Sequence, residues 1–261
     1  MRSYNIIVMA AALVSLLCSC SVKEERTPCP CWLGLDISDC MDRSDSLTLS
    51  LWGERSSLSE EVCIGDYPNL LERMVEKGIV TTAAVCGYDK TCVRNGSVLS
   101  KAGEEAYAVL GYVNTIDCTG EEARDSVALG RQTARIHLAV ETNPDEDYPY
   151  ELSVAGDVCG LMIRDLSPVK GEFGHRLHLD SERVCTFRLY RQLAGSRPVI
   201  IVRKDGQEVD RLPLYDWIRA VGYDWSAPDL EDIFIGMDYA KANVTITVSD
   251  WQNGDKIHIT I

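Results

Sequence analysis

Short runs of alternating apolar and polar residues constrain this chain more than any other feature of its sequence. Leu33, Leu35 and Ile37 alternate with small or polar residues, and the same period of two recurs along much of the chain. Successive side chains of a β-strand point to opposite faces, so this period predicts strands with one buried and one exposed face. Turn-forming residues separate the runs at short intervals, which is typical of β-sandwiches. The sequence therefore predicts an all-β fold.

The chain length and one acidic segment predict two β-sandwiches in tandem. The 261 residues exceed one small sandwich and suit two domains of about 100 to 120 residues each. Residues 142–149 (TNPDEDYP) contain two prolines and no apolar period, so they are the predicted linker. The first sandwich is expected over residues 31–141 and the second over residues 150–261. One short helix is expected in the second, at residues 214–221 (LYDWIRAV).

The first 19 residues resemble a lipoprotein signal peptide. Arg2 supplies the positive start, and the apolar run that follows is shorter than the roughly 20 residues of a transmembrane helix. Residues 17–20 (LCSC) then resemble a lipobox, so cleavage is expected between Ser19 and Cys20, with Cys20 as the lipidated residue. Cys18 is a poorer acceptor because bulky leucines would precede it. Acyl chains on Cys20 would give stable membrane attachment.

Residues 20–30 are predicted to form a lipidated tether ahead of the first strand. Ser21 does not resemble an inner-membrane retention signal, so the outer membrane is the expected location. Residues 22–25 (VKEE) resemble the lysine-acidic signal that sends some lipoproteins to the cell surface. The alternative is a plain solvated tether.

The formal net charge of −14 restricts the expected partners. An acidic protein repels the phosphates of nucleic acids and anionic lipid headgroups. Nucleic-acid binding is therefore not expected. Membrane attachment has to come from acyl chains, because no basic patch is present to supply it.

Nine cysteines follow Cys20. An exported protein can hold disulfides, but an odd number leaves at least one thiol unpaired or paired between chains. Cys29 and Cys31 lie next to the anchor, and a structural bridge to Cys40 or to another cysteine is the favoured interpretation. Redox chemistry is disfavoured because the sequence has no Cys-x-x-Cys motif on a thioredoxin-like frame.

The sequence contains no recognised catalytic or cofactor motif, whether a Gly-x-Ser-x-Gly elbow, a phosphate loop or a dinucleotide fingerprint. His175 and His178 would lie on opposite faces of a strand, and no cysteine or carboxylate at ligand spacing supports a metal site there. We expect no enzyme activity, no cofactor, no metal and no small-molecule substrate. Ser46 (in DSL) and Ser126 (in DSV) resemble acceptors of a periplasmic O-glycosylation system, although so short a pattern often arises by chance.

Several segments occur in an order that resembles one known family. They are residues 26–30 (RTPCP), 187–192 (FRLYRQ), 212–218 (LPLYDWI), 222–225 (GYDW), 229–233 (DLEDI), 235–239 (IGMDY) and 244–251 (VTITVSDW). In these segments the chain is similar to the fimbrillin-A-associated anchor proteins, the lipoprotein accessory subunits of fimbrillin-type (type V) pili. The resemblance is specific over residues 150–261 and looser over residues 31–140.

This resemblance implies two transthyretin-like β-sandwich domains, no catalysis, and a role in holding a fimbria to the outer membrane and limiting its length. Pilin subunits join by donating a strand to a neighbour's open sheet, so fimbrillin subunits are the implied partners. The first domain is expected to present the sheet edge or groove that meets them. The alternative is a surface glycan-binding lipoprotein of a nutrient-uptake system, which would expose a row of aromatic side chains.

Overall fold

The computed structural model describes residues 29–67, 70–141, 148–238, 243–248 and 257–260. These residues form β-strands and one α-helix, α1 (Leu214–Ala220), which lies at the predicted place. The strands of the first half are β1 (Cys31–Asp36), β2 (Ser46–Trp52), β3 (Ser57–Cys63), β4 (Leu70–Val75), β5 (Ile79–Cys86), β6 (Val93–Arg94), β7 (Ser97–Leu99), β8 (Leu110–Asp117), β9 (Glu122–Ser126) and β10 (Gly130–Arg131). The strands of the second half are β11 (Thr133–Glu141), β12 (Tyr150–Met162), β13 (Pro168–Leu177), β14 (Val184–Tyr190), β15 (Val199–Lys204), β16 (Gln207–Leu212), β17 (Ile233–Asp238), β18 (Asn243–Val248) and β19 (Ile257–Thr260). The prediction of an all-β fold with one short helix is confirmed.

The first body is a sandwich of a three-stranded sheet and a five-stranded sheet. Sheet A has the order β4-β1-β9, and sheet B has the order β10-β8-β5-β2-β3. The alternating leucines of β1 and β2 explain the packing, because Leu33 and Leu35 of sheet A and Leu47 and Leu49 of sheet B are buried in one core. Burial of each such side chain contributes about 1.5–3 kcal/mol. The period of two therefore specifies which face of each sheet points inward.

Strand β4 resolves a local ambiguity in the sequence. The spacing of Leu70, Leu71, Met74 and Val75 fits one face of a helix as well as a strand. In the structure this segment pairs antiparallel with β1 over its whole length. Leu71 and Val75 point into the core, while Met74 is exposed. A central partner strand thus overrides the helix-like spacing.

The second body is a sandwich of sheets C and D. Sheet C has the order β16-β15-β12-β7-β6, with β13 also paired to β12, and sheet D has the order β14-β11-β17-β18-β19. Ile136 and Leu138 of β11, Phe187 of β14 and Ile235 of β17 are buried in its core. Helix α1 packs Trp217 into the same core, and this side chain is also buried.

The boundary between the two bodies does not lie at the position predicted from the sequence. Strand β11, assigned to the first domain of residues 31–141, pairs with β14 and β17 of the second body. Its successor β12 lies in the other sheet of that same body, so the predicted linker at residues 142–149 connects two sheets rather than two bodies. Residues 142–147 of that linker lie outside the described part of the chain. The alternation of apolar and polar residues correctly predicts strand β11, but such a local pattern does not identify the strands with which it pairs.

A hairpin from the first half of the chain also belongs to the second body. Strands β6 and β7 pair with each other, and β7 continues sheet C by pairing with β12. Val98 of this hairpin is fully buried in the second core. A Cβ placed on Gly160 of β12 would lie 2.1 Å from the carbonyl oxygen of Val98, so only glycine permits this approach. The chain therefore crosses between the bodies more than once, and neither body is one continuous segment.

One buried residue, Gln132, joins β10 of the first body to β11 of the second. Its Nε2 donates towards the carbonyl oxygens of Gly111 (3.3 Å) and Gly130 (3.0 Å) in the first body, and of Pro228 (3.3 Å) in the second. Its Oε1 accepts a hydrogen bond from Nη2 of Arg191 at 2.8 Å. Because the side chain is bonded to both bodies, the connection is a fixed junction rather than a free linker.

Candidate interaction surfaces

Strand β9 forms an open edge of sheet A. Among the described residues it pairs only with β1, to which it runs parallel. Trp32 donates its backbone N–H to the carbonyl of Glu121, and Val127 donates to the carbonyl of Asp36, both at 2.8 Å. In a parallel ladder the bonded positions alternate along a strand. The odd-numbered residues of β9 therefore bond to β1, and the even-numbered residues direct their peptide groups to the open side.

The even-numbered positions of β9 are Glu122, Arg124 and Ser126, and all three residues are exposed. The N–H of Ser126 is occupied, since it donates to Oδ1 of Asp125 at 3.0 Å. The peptide groups of Glu122 and Arg124 are the ones that a further strand could bind. Charged side chains on an edge oppose unspecific pairing, so this edge favours a partner with complementary charges.

Asp125 fastens β9 to the opposite sheet. Its Oδ2 accepts hydrogen bonds from the hydroxyl of Tyr112 and from Nδ2 of Asn114 (3.1 Å), both in β8. Burial, together with the hydrogen bond to Asp125, raises the pKa of Tyr112. The neutral phenol therefore remains a donor at physiological pH. The open edge is thus hydrogen-bonded through Asp125 to the opposite sheet.

The outer face of sheet A carries an exposed apolar pair. Trp32 and Met74 are opposite each other in the register of β1 and β4, and they are 50% and 61% exposed. A shallow groove of about 310 Å³ lies beside them. It is lined by Trp32, Gly34, Glu72, Glu122, Ala123 and Arg124. An exposed indole flanked by charged groups can bind either a protein side chain or a sugar ring.

A second cleft, of about 560 Å³, lies between the two bodies. Its walls include Tyr112 of the first body and Leu166 and Arg191 of the second. Nη1 of Arg191 donates to the carbonyl of Trp225 at 2.5 Å, and Nη2 donates to Gln132. Burial lowers the pKa of Arg191. Because these bonds hold the guanidinium in the junction, the residue serves to join the bodies.

The predicted lipid anchor lies outside the described residues. Ser19 and Cys20, between which cleavage is predicted, both precede residue 29, where the described part begins. The lipidation of Cys20 and the signal peptide of residues 1–19 stay predictions. No helix in the described part of the chain is long and apolar enough to span a membrane.

The predicted bridge among the first cysteines is wrong for Cys31 and Cys40. Cys31 is the first residue of β1, whereas Cys40 follows the other end, where its Sγ donates to the carbonyl of Val127 at 3.4 Å. A six-residue strand separates its ends by about 16 Å, while a disulfide requires a Cα separation of about 4.4–6.8 Å. Cys29 is exposed, and Cys31 and Cys40 are buried.

The two predicted glycosylation sites differ in their solvent exposure. Ser126 is exposed at the end of β9, whereas Ser46 is half-buried at the start of β2. Side-chain contact with Ser46 is also one of the causes that lower the pKa of Glu61. The structure therefore favours Ser126 over Ser46 as an acceptor, and modification of either stays a prediction.

The described residues include no cluster of three or more His, Cys, Asp or Glu side chains that could hold a metal ion. His175 lies in β13, and His178 follows the end of that strand. Burial lowers the pKa of His175, which favours a neutral ring at physiological pH.

Sequence reasoning missed the open edge and the crossing hairpin. The hairpin has a recognisable signal, since Asn95 and Gly96 both adopt positive φ in the turn between β6 and β7. An Asn-Gly pair is the strongest short-range indication of such a turn. Strand β9 (EARDS) has no comparable signal, because it lacks alternating apolar residues and is a strand only through its pairing with β1.

Three solved structures share this fold over nearly their whole length. The fimbrial anchor protein Mfa2 from Porphyromonas gingivalis is 14% identical, with 88% of this chain and 99% of that chain covered and a TM-score of 0.54. A candidate polysaccharide-binding protein from Bacteroides thetaiotaomicron is 12% identical, with 88% and 98% covered and a TM-score of 0.58. A candidate adhesin from Bacteroides ovatus is 12% identical, with 91% and 98% covered and a TM-score of 0.57.

No protein-family model matches this chain, and no curated protein matches it by sequence. At 12–14% identity the likeness to the solved structures establishes the fold. The predicted resemblance to fimbrial anchor proteins is confirmed at that level, since one such protein shares the fold over 99% of its own chain.

Proposed function

We propose that this protein is a non-enzymatic outer-membrane lipoprotein that anchors or caps a fimbria at the cell surface and limits its length. The supporting observation is the shared fold with a fimbrial anchor protein over 99% of that protein's chain. The predicted signal peptide would direct export and then be removed, and the lipid on Cys20 would supply the attachment to the membrane. Residues 20–30 form the tether, and the folded body begins at Cys31.

The open edge of β9 is the proposed contact with a fimbrillin subunit. A donated strand would pair with the outward peptide groups of Glu122 and Arg124, so that backbone hydrogen bonds supply the affinity. The adjacent groove beside Trp32 and Met74 would receive alternate side chains of that strand. This contact would lie on the first body, which is the one expected from the sequence to meet the fimbria.

A single proline on the outward side of β9 tests this contact. Arg124→Pro removes an outward N–H, and proline is tolerated on the solvent side of an edge strand. Cells with this variant should shed fimbriae into the medium, while Arg124→Ala, which keeps the N–H, should retain them. Ala123→Pro is the matched control for folding, because the N–H of Ala123 faces β1 and its loss should destabilise the protein. Normal retention of fimbriae by a stable Arg124→Pro protein would exclude this edge.

Two cellular experiments test the role as a whole. Replacing Cys20 with serine should release the protein from the outer membrane, and deleting the gene should leave fimbriae of altered length in the medium. Crosslinking on intact cells should capture a fimbrillin subunit. Fimbriae of normal length that stay on the deleted cells would contradict the proposal.

Glycan binding is the second candidate, and the exposed indole of Trp32 favours it. Trp32 lies beside Glu72 and Arg124, an arrangement that could stack and hydrogen-bond a sugar. A glycan array that detects binding by the wild type and none by Trp32→Ala would support this candidate. A blank array together with fimbrillin crosslinks would reject it.

A further inference from the structure

Cys31 and Cys118 approach the same turn of the first body from different sheets. Cys31, the first residue of β1, is opposite Val75 in sheet A. Cys118 follows β8 in sheet B, where it exchanges two backbone hydrogen bonds with Gly78, at 2.8 and 3.4 Å. Val75 and Gly78 are the two ends of the short connection from β4 to β5. The backbone therefore brings the two cysteines together where the sheets meet.

Both thiols lie in the core and interact with each other. Cys31 and Cys118 are each 0% exposed and belong to the same cluster of buried side chains. Burial raises the pKa of Cys118 to about 12, and the adjacent Cys31 thiol contributes to the increase. A thiol with this pKa is protonated at physiological pH and reacts slowly. Because neither thiol is accessible in the folded protein, an oxidant would have to reach the pair before the core has closed.

We propose that Cys31 and Cys118 form a disulfide that fastens the first residue of the folded body to the opposite sheet. The inference rests on the proposed export of the protein, since disulfides persist in oxidising compartments. The oxidant is the disulfide of a thiol–disulfide oxidoreductase. One cysteine thiolate attacks that disulfide, and the other cysteine resolves the mixed disulfide. The two protein thiols lose two electrons and two protons, and the oxidoreductase is reduced to its dithiol form.

The bond has a defined structural consequence. The tether joins the body at Cys31, so tension from the membrane enters at the start of β1. A covalent link to Cys118 would carry part of this tension directly into sheet B at the end of β8. The first strand could then not be pulled out of sheet A without breaking a covalent bond.

Peptide mapping without reductant tests the pairing. Digestion with trypsin and with a protease that cleaves before aspartate yields peptide 27–35, which contains Cys31, and peptide 117–124, which contains Cys118 as its only cysteine. The Cys29→Ser variant is used, so that Cys31 is the only cysteine of peptide 27–35. Full-length protein is taken from the cell envelope after thiols have been alkylated in intact cells. A second sample is refolded in detergent and a glutathione redox buffer. We expect peptides 27–35 and 117–124 to be linked in both samples, while the exposed Cys63 is alkylated.

The two samples test the pairing of Cys31 with Cys118 and the export of the protein independently. Linkage in the refolded sample together with free thiols in the envelope sample would support the pairing and contradict the proposed export. Free Cys31 in both samples, or Cys31 linked to any other cysteine, would overturn the pairing. As a stability readout, reductant should lower the denaturation midpoint of the wild type and of Cys63→Ser. It should leave that of Cys118→Ser unchanged.

Discussion

Replacing Gln132 with leucine tests whether the two bodies are held together at their junction. The side chain is 2% exposed, and its two amide hydrogens are shared among three carbonyl oxygens at 3.0–3.3 Å. A neutral hydrogen bond contributes about 1 kcal/mol net, and one from a charged donor such as Arg191 contributes about 1.5–3 kcal/mol. Leucine keeps most of the volume but can make none of these hydrogen bonds. We expect the free energy of unfolding to fall by about 4 kcal/mol.

Urea unfolding followed by tryptophan fluorescence and by circular dichroism measures this loss. Gln192→Leu is the matched control, since Gln192 is also buried but its amide donates to the carbonyl of Tyr190 within one body, and its Oε1 has no partner in the described part of the chain. The control should lose only about 1 kcal/mol. If Gln132→Leu loses no more than Gln192→Leu, the reasoning about the junction is refuted.

Two further predictions concern the first body. Backbone N–H groups of Arg55 and Ser56 donate to Glu76 and lower its pKa from 4.5. The depressed folded-state pKa means that this stabilisation is present above pH 4.5 and is lost as pH falls through the folded-state value. Thermal melts should show Glu76→Gln less stable than the wild type at neutral pH, with the difference disappearing in acid. Intact-mass measurement should find any O-glycan on the exposed Ser126, removed by Ser126→Ala and unaffected by Ser46→Ala.

The strands that could be predicted are those with a buried and an exposed face. β1, β2, β11 and β14 all alternate, and each lies where the period of two places it. Helix α1 was also predictable, because Leu214, Trp217 and Ile218 share one helical face and are buried together. In these segments the hydrophobic period alone determines the local structure.

The partners of the strands could not be predicted, because pairing depends on residues far apart in sequence. Strand β11 has the same pattern whether it joins the first body or the second, so the boundary at residue 141 was misplaced. Strand β9 is polar and forms only against β1. The location of Cys118 beside Cys31 likewise follows from the turn between β4 and β5, and it cannot be inferred from the spacing of the cysteines in the sequence.

The parallel pairing of β1 with β9 determines how tension would pass through the proposed anchor. The two strands are in register from Trp32 and Glu122 to Asp36 and Ser126. A pull on the tether acts along β1, while a fimbrial strand held at β9 resists it, so the bonds of the ladder are loaded together in shear rather than broken one by one. This path does not pass through Gln132. A contact on the second body would instead load that junction. Gln132→Leu should therefore leave anchoring intact if β9 is the contact, and weaken it if the second body is.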